Sequence, residues 1–425
     1  MHRALAAGFL ALSLTPAVAA RAQDARLHYD GDMVITPATG HVALDWTIRV
    51  QEDDIEAVTF LLSPSFEDVR ITGDSVASVT AGALETFSGA VPTYTVTLHP
   101  GANPGGRQIS VEYQGVLLPE PMETRINTVE AGKVELTVDS FWMPFDTRFT
   151  SLVTADIDIT LAGEDASDWS GVGIETLVPA RGGFHLQQTR PALDVAFTLT
   201  SRSRRIEADG YVIHDMRAGP GAGVEAVSGA LDFCTDYLNS LAGPAGPLPQ
   251  AAVTVNDRAE AGYSRGTLIA LTDIDGEDPV SLFQFICHEL AHYWSRGNAM
   301  TVENWLNEGI ADTMANMAIR EAFGEEAYEA RLESYRSAVE ASPGGNGAVW
   351  TPASRDRPPH IIMYRKAPLI MARLEARVGR DEFARIMQGY VVEGVATTPA
   401  LLELVEREAG ADARAAFEAM LAGED

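Results

Sequence analysis

Two histidines spaced four residues apart, with a glutamate directly after the first, are the residues of this chain best suited to chemistry. They lie in the segment Cys287-His-Glu-Leu-Ala-His-Tyr-Trp294. On a helix, side chains four residues apart share a face, so ring nitrogens of His288 and His292 can converge on one ion. Glu289 projects about 100° away from His288, outside the ligand set but within reach of a water on that ion. This H-E-x-x-H pattern predicts one Zn²⁺ per chain, with Glu289 as general base.

The apolar residues around the motif predict a helix with one buried face. A single stripe at helical spacing is expected to pack into a core, and its members are Phe283, Ile286, Cys287, Leu290 and Trp294. His288 and His292 project the opposite way. This placement suits the lining of a cleft better than the packing of a core.

A catalytic zinc usually takes three protein ligands and leaves one position for water, so the two histidines need a third partner. The metzincin class would supply a histidine six residues after His292, with a glycine between them. Ser295 and Asn298 occupy those two positions, which excludes that class.

The third ligand is expected among the carboxylates of the next amphipathic segment, Trp305-Leu-Asn-Glu-Gly-Ile-Ala-Asp312. Glu308 is favoured over its competitors Glu303 and Asp312. Glu303 lies just before the predicted helix, where an acid more often serves the first turn. Asp312 lies one turn beyond Glu308. It either accepts a hydrogen bond from the far ring nitrogen of a ligating histidine or is a surface acid.

The elements that must position these residues fall into two groups along the chain. Residues 41–50 alternate apolar and polar side chains, as in a half-buried strand. The same alternation recurs at 94–98, 109–113, 153–161 and 193–199. Helical periodicity replaces it further on. We therefore predict an α+β multidomain protein, with an all-β domain of sandwich or saddle form at 23–205 and a mostly helical domain at 206–425.

The second domain is predicted to contain short strands at 251–255 and 267–271 among its helices. The helices are expected at 226–241, 280–296, 304–323, 325–341, 362–377, 381–390 and 398–421. The longest irregular segment is 342–359, a candidate lid because long loops of compact domains are often functional.

The composition and the amino-terminal segment indicate which partners and which cellular compartment to expect. With 46% hydrophobic residues and a net charge of −29, the chain has a globular composition and an acidity that disfavours nucleic acid and anionic lipid as partners. Residues 1–22 have a basic start, an apolar run and small residues, which predicts a signal peptide cleaved after Ala19 to Ala22. Periplasmic or secreted localisation follows. No later run is long enough to predict a membrane span.

The chain has two cysteines, Cys234 and Cys287. In an oxidising compartment such a pair forms one disulfide or remains as two buried thiols. The sequence leaves both alternatives open.

The order of the motifs resembles that of the aminopeptidase N and leukotriene A hydrolase family, zinc metallopeptidases of the gluzincin group. His288-Glu-Leu-Ala-His292 followed by Trp305-Leu-Asn-Glu308-Gly is similar to the family's zinc signature. Other landmarks are similar at residues 141–146, 230–237 and 398–410. The resemblance implies a thermolysin-like catalytic domain after the all-β domain. It also implies a peptide or protein substrate and a short two-domain member without the family's C-terminal helical domain.

Tyr364 is singled out by the same resemblance. Tyr364-Arg-Lys-Ala367 is similar to the family's Tyr-Glu-Lys-Gly segment. This implies that Tyr364 donates a hydrogen bond to the developing oxyanion. From the residues alone, a packed aromatic is the alternative.

The chain departs from the family in its expected substrate-binding strand. The family's Gly-Ala-Met-Glu-Asn strand falls on Ala261-Gly-Tyr-Ser-Arg265, so Gly262, Tyr263, Ser264 and Arg265 are the candidate substrate contacts. Ser264 stands where the family has the glutamate that grips a free amine. A neutral residue beside a cation disfavours an ammonium. Classical aminopeptidase specificity is therefore not expected, and Arg265 is expected to meet a substrate carboxylate or backbone.

The sequence thus predicts an exported zinc metallopeptidase. Two other interpretations stay open. One is a catalytically silent adhesion or scaffold protein that uses the β domain as its binding surface. The other is a non-peptide hydrolase on the same fold, such as an epoxide hydrolase.

Overall fold

A computed structural model describes most of the chain after its amino terminus. The described residues are 25–52, 55–86, 89–100, 106–117, 126–149, 151–218, 221, 223–243, 247–258, 262–272, 274–299 and 301–424. The predicted signal segment and Ala261 lie outside the described residues. None of the helices in the described ranges combines the length and apolar character needed to cross a membrane.

The amino-terminal part is built of strands in three sheets. The strands are β1 (Leu27–Thr36), β2 (His41–Val50), β3 (Ala57–Leu61), β4 (Phe66–Thr72), β5 (Val76–Thr86), β6 (Gly89–Leu98), β7 (Arg107–Val116), β8 (Thr128–Glu130), β9 (Lys133–Leu136), β10 (Phe145–Asp146), β11 (Val153–Leu161), β12 (Ser170–Gly173), β13 (Thr176–Ala180), β14 (Gly183–Ala192) and β15 (Phe197–Thr200). One sheet has the order β13-β14-β11-β1-β2-β7-β4. The other two have the orders β10-β3-β6-β5 and β12-β15-β9-β8.

Aromatic residues fill the core between these sheets. Trp46 and Trp142 are buried with ring centroids 5.9 Å apart. The indole nitrogen of Trp46 donates to the Tyr113 hydroxyl at 2.7 Å, and that hydroxyl donates to the Trp142 carbonyl at 2.9 Å. Gly31 faces Trp46 on the neighbouring strand, where a Cβ would lie 2.3 Å from the indole ring. The predicted alternation of 41–50 is confirmed, because its apolar residues are buried.

One predicted strand begins later than expected. The alternation at 193–199 suggested a strand from Leu193, but β15 starts at Phe197 and Leu193 is exposed. The reason lies in Asp194, whose buried carboxylate turns inwards to accept the backbone N–H of Val138 at 2.9 Å. That contact keeps the preceding residues out of the ladder.

The carboxyl-terminal part combines one mixed sheet with helices. Its strands are β16 (Arg204–Ala208), β17 (Tyr211–Asp215), β18 (Ala251–Val255), β19 (Tyr263–Arg265) and β20 (Leu268–Leu271), in the order β16-β17-β18-β20-β19. Its helices are α1 (Val224–Ala242), α2 (Pro279–Ala291), α3 (Asn304–Phe323), α4 (Glu325–Ala341), α5 (Ala367–Val378), α6 (Arg380–Glu393), α7 (Thr398–Ala409) and α8 (Ala411–Ala422). An all-β region followed by a mostly helical one is the fold class predicted from the sequence.

The predicted helix boundaries hold at 304–323 and 325–341 and fail at three other places. The helix predicted at 280–296 ends at Ala291 and continues as a 3₁₀ turn over His292–Trp294. The one predicted at 362–377 opens with a π-helical turn, Ile362–Lys366. The one predicted at 398–421 is two helices, because Gly410 has a φ of 90°.

The candidate lid is anchored to the domain. Within 342–359, Val349 and Trp350 are buried, and their amides donate to the Leu421 carbonyl at 2.9 and 3.1 Å. A bridge joins Asp356 to Thr301. These contacts give the segment a packing role at the carboxyl end of α8.

Cys234 and Cys287 form a disulfide between α1 and α2. Both cysteines are fully buried, and their Cα atoms lie 5.2 Å apart. The bond closes a loop of 53 residues, which in the chain-entropy view removes much of the freedom of the unfolded chain. It fastens α2 to α1 at the residue directly before His288.

We expect reduction of this bond to lower the free energy of unfolding by about 4 kcal/mol, the value for a loop of this length. Urea unfolding of the wild type with and without reductant measures the change. The double variant Cys234→Ala/Cys287→Ala is the control, and its midpoint should not respond to reductant. An equal response of both proteins would contradict the role assigned to the bond.

Candidate metal centre

Helix α2 carries His288, the 3₁₀ turn that continues it carries His292, and the helix is fixed by its opposite face. Asp278 caps its start by accepting the Ser281 N–H at 2.9 Å, and Pro279 occupies its first position. The apolar stripe predicted from the sequence is buried in the core of the domain. The buried stripe therefore fixes the rotation of α2 about its own axis, and His288 and His292 face α3.

Glu308 on α3 meets both histidines. The Nε2 atoms of His288 and His292 lie 3.0 Å apart, and Glu308 Oε2 lies 3.6 Å from the first and 3.4 Å from the second. Ligands about 2.0–2.1 Å from a tetrahedral zinc are about 3.3 Å from one another. Glu308 Oε2 is also buried without a hydrogen-bond partner among the described residues. The geometry and this unpartnered oxygen both fit a metal ion held by the three side chains.

The electrostatics of the cluster favour a cation. Burial opposes charge on His288, but the carboxylates of Asp312 and Glu308 raise its pKa to about 10. Burial and the charge of His288 lower the pKa of His292. Burial alone would raise the pKa of Glu308, yet the two histidines lower it to about 2. A buried pocket that stabilises positive charge on its own groups to this extent is suited to bind a metal cation.

Asp312 holds the ring of His288 from behind. Its Oδ1 lies 3.0 Å from His288 Nδ1, which leaves Nε2 directed towards His292 and Glu308. The side chain is buried and does not lie at the surface, and it is placed to accept a hydrogen bond from the far ring nitrogen of His288. Glu303, the other competitor, is engaged elsewhere: its carboxylate accepts the backbone N–H of Thr398 at 2.7 Å and the Thr398 hydroxyl at 2.6 Å.

Sequence reasoning missed the residues that support Asp312. The Tyr335 hydroxyl on α4 donates to Asp312 Oδ2 at 2.9 Å, and the Gln284 amide donates to Oδ1. Arg331 joins them by donating to Gln284 Oε1 at 2.7 Å and to the Tyr335 hydroxyl at 3.0 Å. Gln284 had a visible signal, since it lies one turn before His288 on the same helix face. Tyr335 and Arg331 had none, because they come from another helix.

Tyr364 lies beside the cluster. It belongs to the π-helical turn 362–366, and its ring stacks between those of His360 and His288, with centroids 4.1 and 5.8 Å away. Burial, the charge of Glu308 and a hydrogen bond to Glu308 raise the pKa of the Tyr364 phenol well above its usual range. The phenol therefore remains a proton donor at neutral pH.

Glu289 is buried close to the same groups. Its carboxylate contributes to raising the pKa values of His288 and of Tyr364. It is 7% exposed. A general base in this position is adjacent to the cluster without belonging to its ligand set.

The candidate substrate strand is bound to the amino-terminal domain. Arg265 ion-pairs with Asp139 at 2.6 Å and with Asp194 at 3.0 Å, so its guanidinium is already engaged and the expectation that it meets a substrate carboxylate finds no support. The Tyr263 hydroxyl donates to the buried Glu135 at 3.0 Å. Ser264 is half-buried between these anchored neighbours, and Gly262 precedes them against the Phe285 ring.

Comparisons with known proteins agree on one family. Residues 268–410, which contain the cluster, match the Peptidase family M1 domain. The M1 zinc metallopeptidase of Deinococcus radiodurans has the same fold, with 18% identity, a TM-score of 0.66 and coverage of 97% of both chains. One structure of that protein has a Tyr-Ser-Ala substrate bound. No curated protein matches the sequence.

Two longer proteins share the fold as well. Yeast leukotriene A4 hydrolase is 13% identical with a TM-score of 0.67, over 93% of this chain and 67% of that one. An aminopeptidase N family protein of Idiomarina loihiensis is 13% identical with a TM-score of 0.65, over 93% of this chain and 76% of that one.

We expect Asp312→Asn to weaken zinc binding about tenfold to a hundredfold, because losing the carboxylate that accepts a hydrogen bond from a metal-binding histidine has an effect of this size. Competition with a fluorescent chelator measures the affinity. Glu303→Gln, at the residue directly before α3, is the control, and it should retain wild-type zinc affinity with a lower melting temperature. Equal losses of affinity in the two variants would remove Asp312 from its assigned role.

Proposed function

We propose that this chain, a member of peptidase family M1, is a zinc-dependent enzyme that hydrolyses peptide bonds with Glu289 as general base and Tyr364 as oxyanion stabiliser. The family match and the shared two-domain fold make it a hydrolase of the peptidase class. The observation that carries the proposal is the convergence of three donor atoms of His288, His292 and Glu308 within 4.8 Å of one another. We assign one Zn²⁺ per chain to these three ligands.

The zinc ion supplies Lewis acidity towards a water and towards the scissile carbonyl when it is bound. Glu289 then removes a proton from the attacking water and returns it to the leaving nitrogen. Its burial beside the two histidines excludes bulk water from this transfer. The carboxylate directly follows the ligand His288 on α2, so the backbone of that helix sets its position relative to the reacting atoms.

Tyr364 donates its phenolic proton in a hydrogen bond to the carbonyl oxygen as negative charge develops there. The raised pKa keeps that proton in place, so the group acts as a donor and not as a base. Stacking between His360 and His288 limits its rotation. Preorganised donors of this kind contribute several kcal/mol to the stability of an oxyanion, on the order of 3 kcal/mol for one donor.

The anchored strand β19 bears on substrate choice. Ser264 offers no charge for a substrate ammonium, and the charge of its neighbour Arg265 is neutralised by two aspartates. We propose that cleavage does not require a free amino terminus. In addition, the signal segment predicted at residues 1–22 and the disulfide between Cys234 and Cys287 support export to an oxidising compartment such as the periplasm or the medium.

Replacing Glu289 by Gln should lower kcat about 10²-fold to 10⁴-fold, the usual contribution of a general base, while one zinc per chain is retained. Metal analysis and peptide hydrolysis are measured on the same preparation. Glu326→Gln makes the identical change on the exposed face of α4 and should leave both values unchanged. Full activity of Glu289→Gln with zinc bound would show that another group is the base. A zinc-loaded wild type that cleaves no peptide of a library would favour a silent scaffold.

Peptides with free and acetylated amino termini should be cleaved with kcat/KM values within about tenfold of each other, because no carboxylate of β19 faces the terminal amine. Mass spectrometry of the products measures both rates and the bond cleaved. A loss of more than about a thousandfold on acetylation would show that a charged terminus is recognised elsewhere in the site.

A further inference from the structure

A cavity of about 510 Å³ lies between the two domains, apart from the metal centre. One wall comes from the amino-terminal domain and includes Trp169, Leu177 and Phe184, while the other includes Val212 and His214 of β17. This volume is in the range of pockets that hold small molecules. None of the residues assigned to the metal centre lines it.

The mixed sheet of β16 to β20, called the catalytic sheet below, separates the cavity from the helices that carry the zinc ligands. Successive residues of a strand point to opposite faces. Tyr211 and Ile213 of β17 pack into the core that contains α2, whereas Val212 and His214 face the cavity. A ligand in the cavity therefore contacts the back of the sheet and not the metal.

At this wall, one ring nitrogen of His214 has no hydrogen-bond partner in the part of the chain that the structure describes. The residue is 4% exposed, and its Nδ1 is buried without a partner among the described residues. Buried polar atoms are nearly always hydrogen-bonded, so the unpartnered Nδ1 marks a hydrogen bond that a water or a ligand beside this wall would complete. Burial and the charge of Arg205 lower the pKa of His214 to about 4, so the neutral ring offers one donor and one acceptor.

The charged residues of the lining favour an anion. Arg190 and Arg205 contribute two guanidinium groups, and Glu175 is the one acid among the lining residues. Glu175 already accepts the backbone N–H groups of Thr189 and Arg190. Arg205 is the register partner of His214 across β16 and β17, which places both side chains on the same face of the sheet. Arg190 is paired with Glu175 at 3.4 Å, whereas Arg205 is paired, of the acids that the structure describes, only with the exposed Glu207, and a surface ion pair of that kind is weak enough to be exchanged for a ligand carboxylate.

We propose that this interdomain cavity is a second ligand site, which binds a small molecule with a carboxylate and an apolar group. The carboxylate pairs with the guanidinium of Arg205 and accepts a hydrogen bond from His214, a combination suited to a planar anion. The apolar group lies against Trp169, Leu177 and Phe184. The proposal is independent of the peptidase reaction, because none of these residues belongs to the metal centre.

Isothermal titration calorimetry of the zinc-loaded protein tests the site with N-acetyl-L-phenylalanine as probe, and with its amide as the uncharged analogue. Acetohydroxamate at saturation occupies the metal centre, so that binding of the probe to zinc is distinguished. We expect one probe per chain in its presence and at least about tenfold weaker binding of the amide.

Arg205→Gln should weaken binding of the probe at least about tenfold, and Arg70→Gln should leave the affinity unchanged. The two variants are matched, since Arg205 pairs with exposed Glu207 and Arg70 pairs with exposed Glu112 outside the cavity. His214→Leu should lose the probe while its melting temperature stays at or above that of the wild type, because an unpartnered buried polar atom is removed. The proposal is overturned by no binding at millimolar probe, by loss of binding with acetohydroxamate, or by equal binding to the Arg205 and Arg70 variants.

Discussion

The buried carboxylate of Asp312 is the point on which the site depends. An ionised group out of contact with water is tolerated only when its oxygens are hydrogen-bonded. Here the partners come from two other helices, His288 and Gln284 from α2 and Tyr335 from α4, while Asp312 itself is on α3. The hydrogen bonds to this one carboxylate fix the orientation of His288. They also fix the positions of α2, α3 and α4 relative to one another. The metal centre and the packing of the domain are therefore one arrangement.

The amino-terminal domain contributes to the same site by holding its edge. Strand β19 lies at the border of the catalytic sheet, and its residues are held by acids of the other domain, Asp139, Asp194 and Glu135. Burial raises the pKa of Asp194 to about 6 in spite of the charge of Arg265. An edge strand fixed by side chains on its far side keeps its backbone in place without a further strand. The two domains are thus joined along β19.

The sequence predicts those parts of the structure that depend on local spacing. The histidines at i and i+4, the apolar stripe of α2 and the alternation of β2 follow from helix and strand geometry, and each appears as expected. Contacts between distant segments leave no such signature. The pairing of Cys234 with Cys287, the support of Asp312 by Tyr335 and the neutralisation of Arg265 all join residues whose proximity is a property of the packed fold. Glu303 illustrates the limit well, because its role was settled by Thr398 at the start of α7.

The π-helical turn at 362–366 shows how an irregular backbone serves two partners at once. In that turn Tyr364 reaches Glu308, while its neighbour Arg365 lies 3.5 Å from Asp312 and over the ring of Tyr335. Adjacent side chains of a regular α-helix diverge by about 100°, and a π turn carries an extra residue that changes this phase. Removing one residue to make the helix regular would rotate the residues on its amino-terminal side by about 100° relative to α5, and Tyr364 away from Glu308. A regular α-helix is therefore incompatible with the contact between Tyr364 and Glu308. A sequence designed only for helix stability would lose that contact.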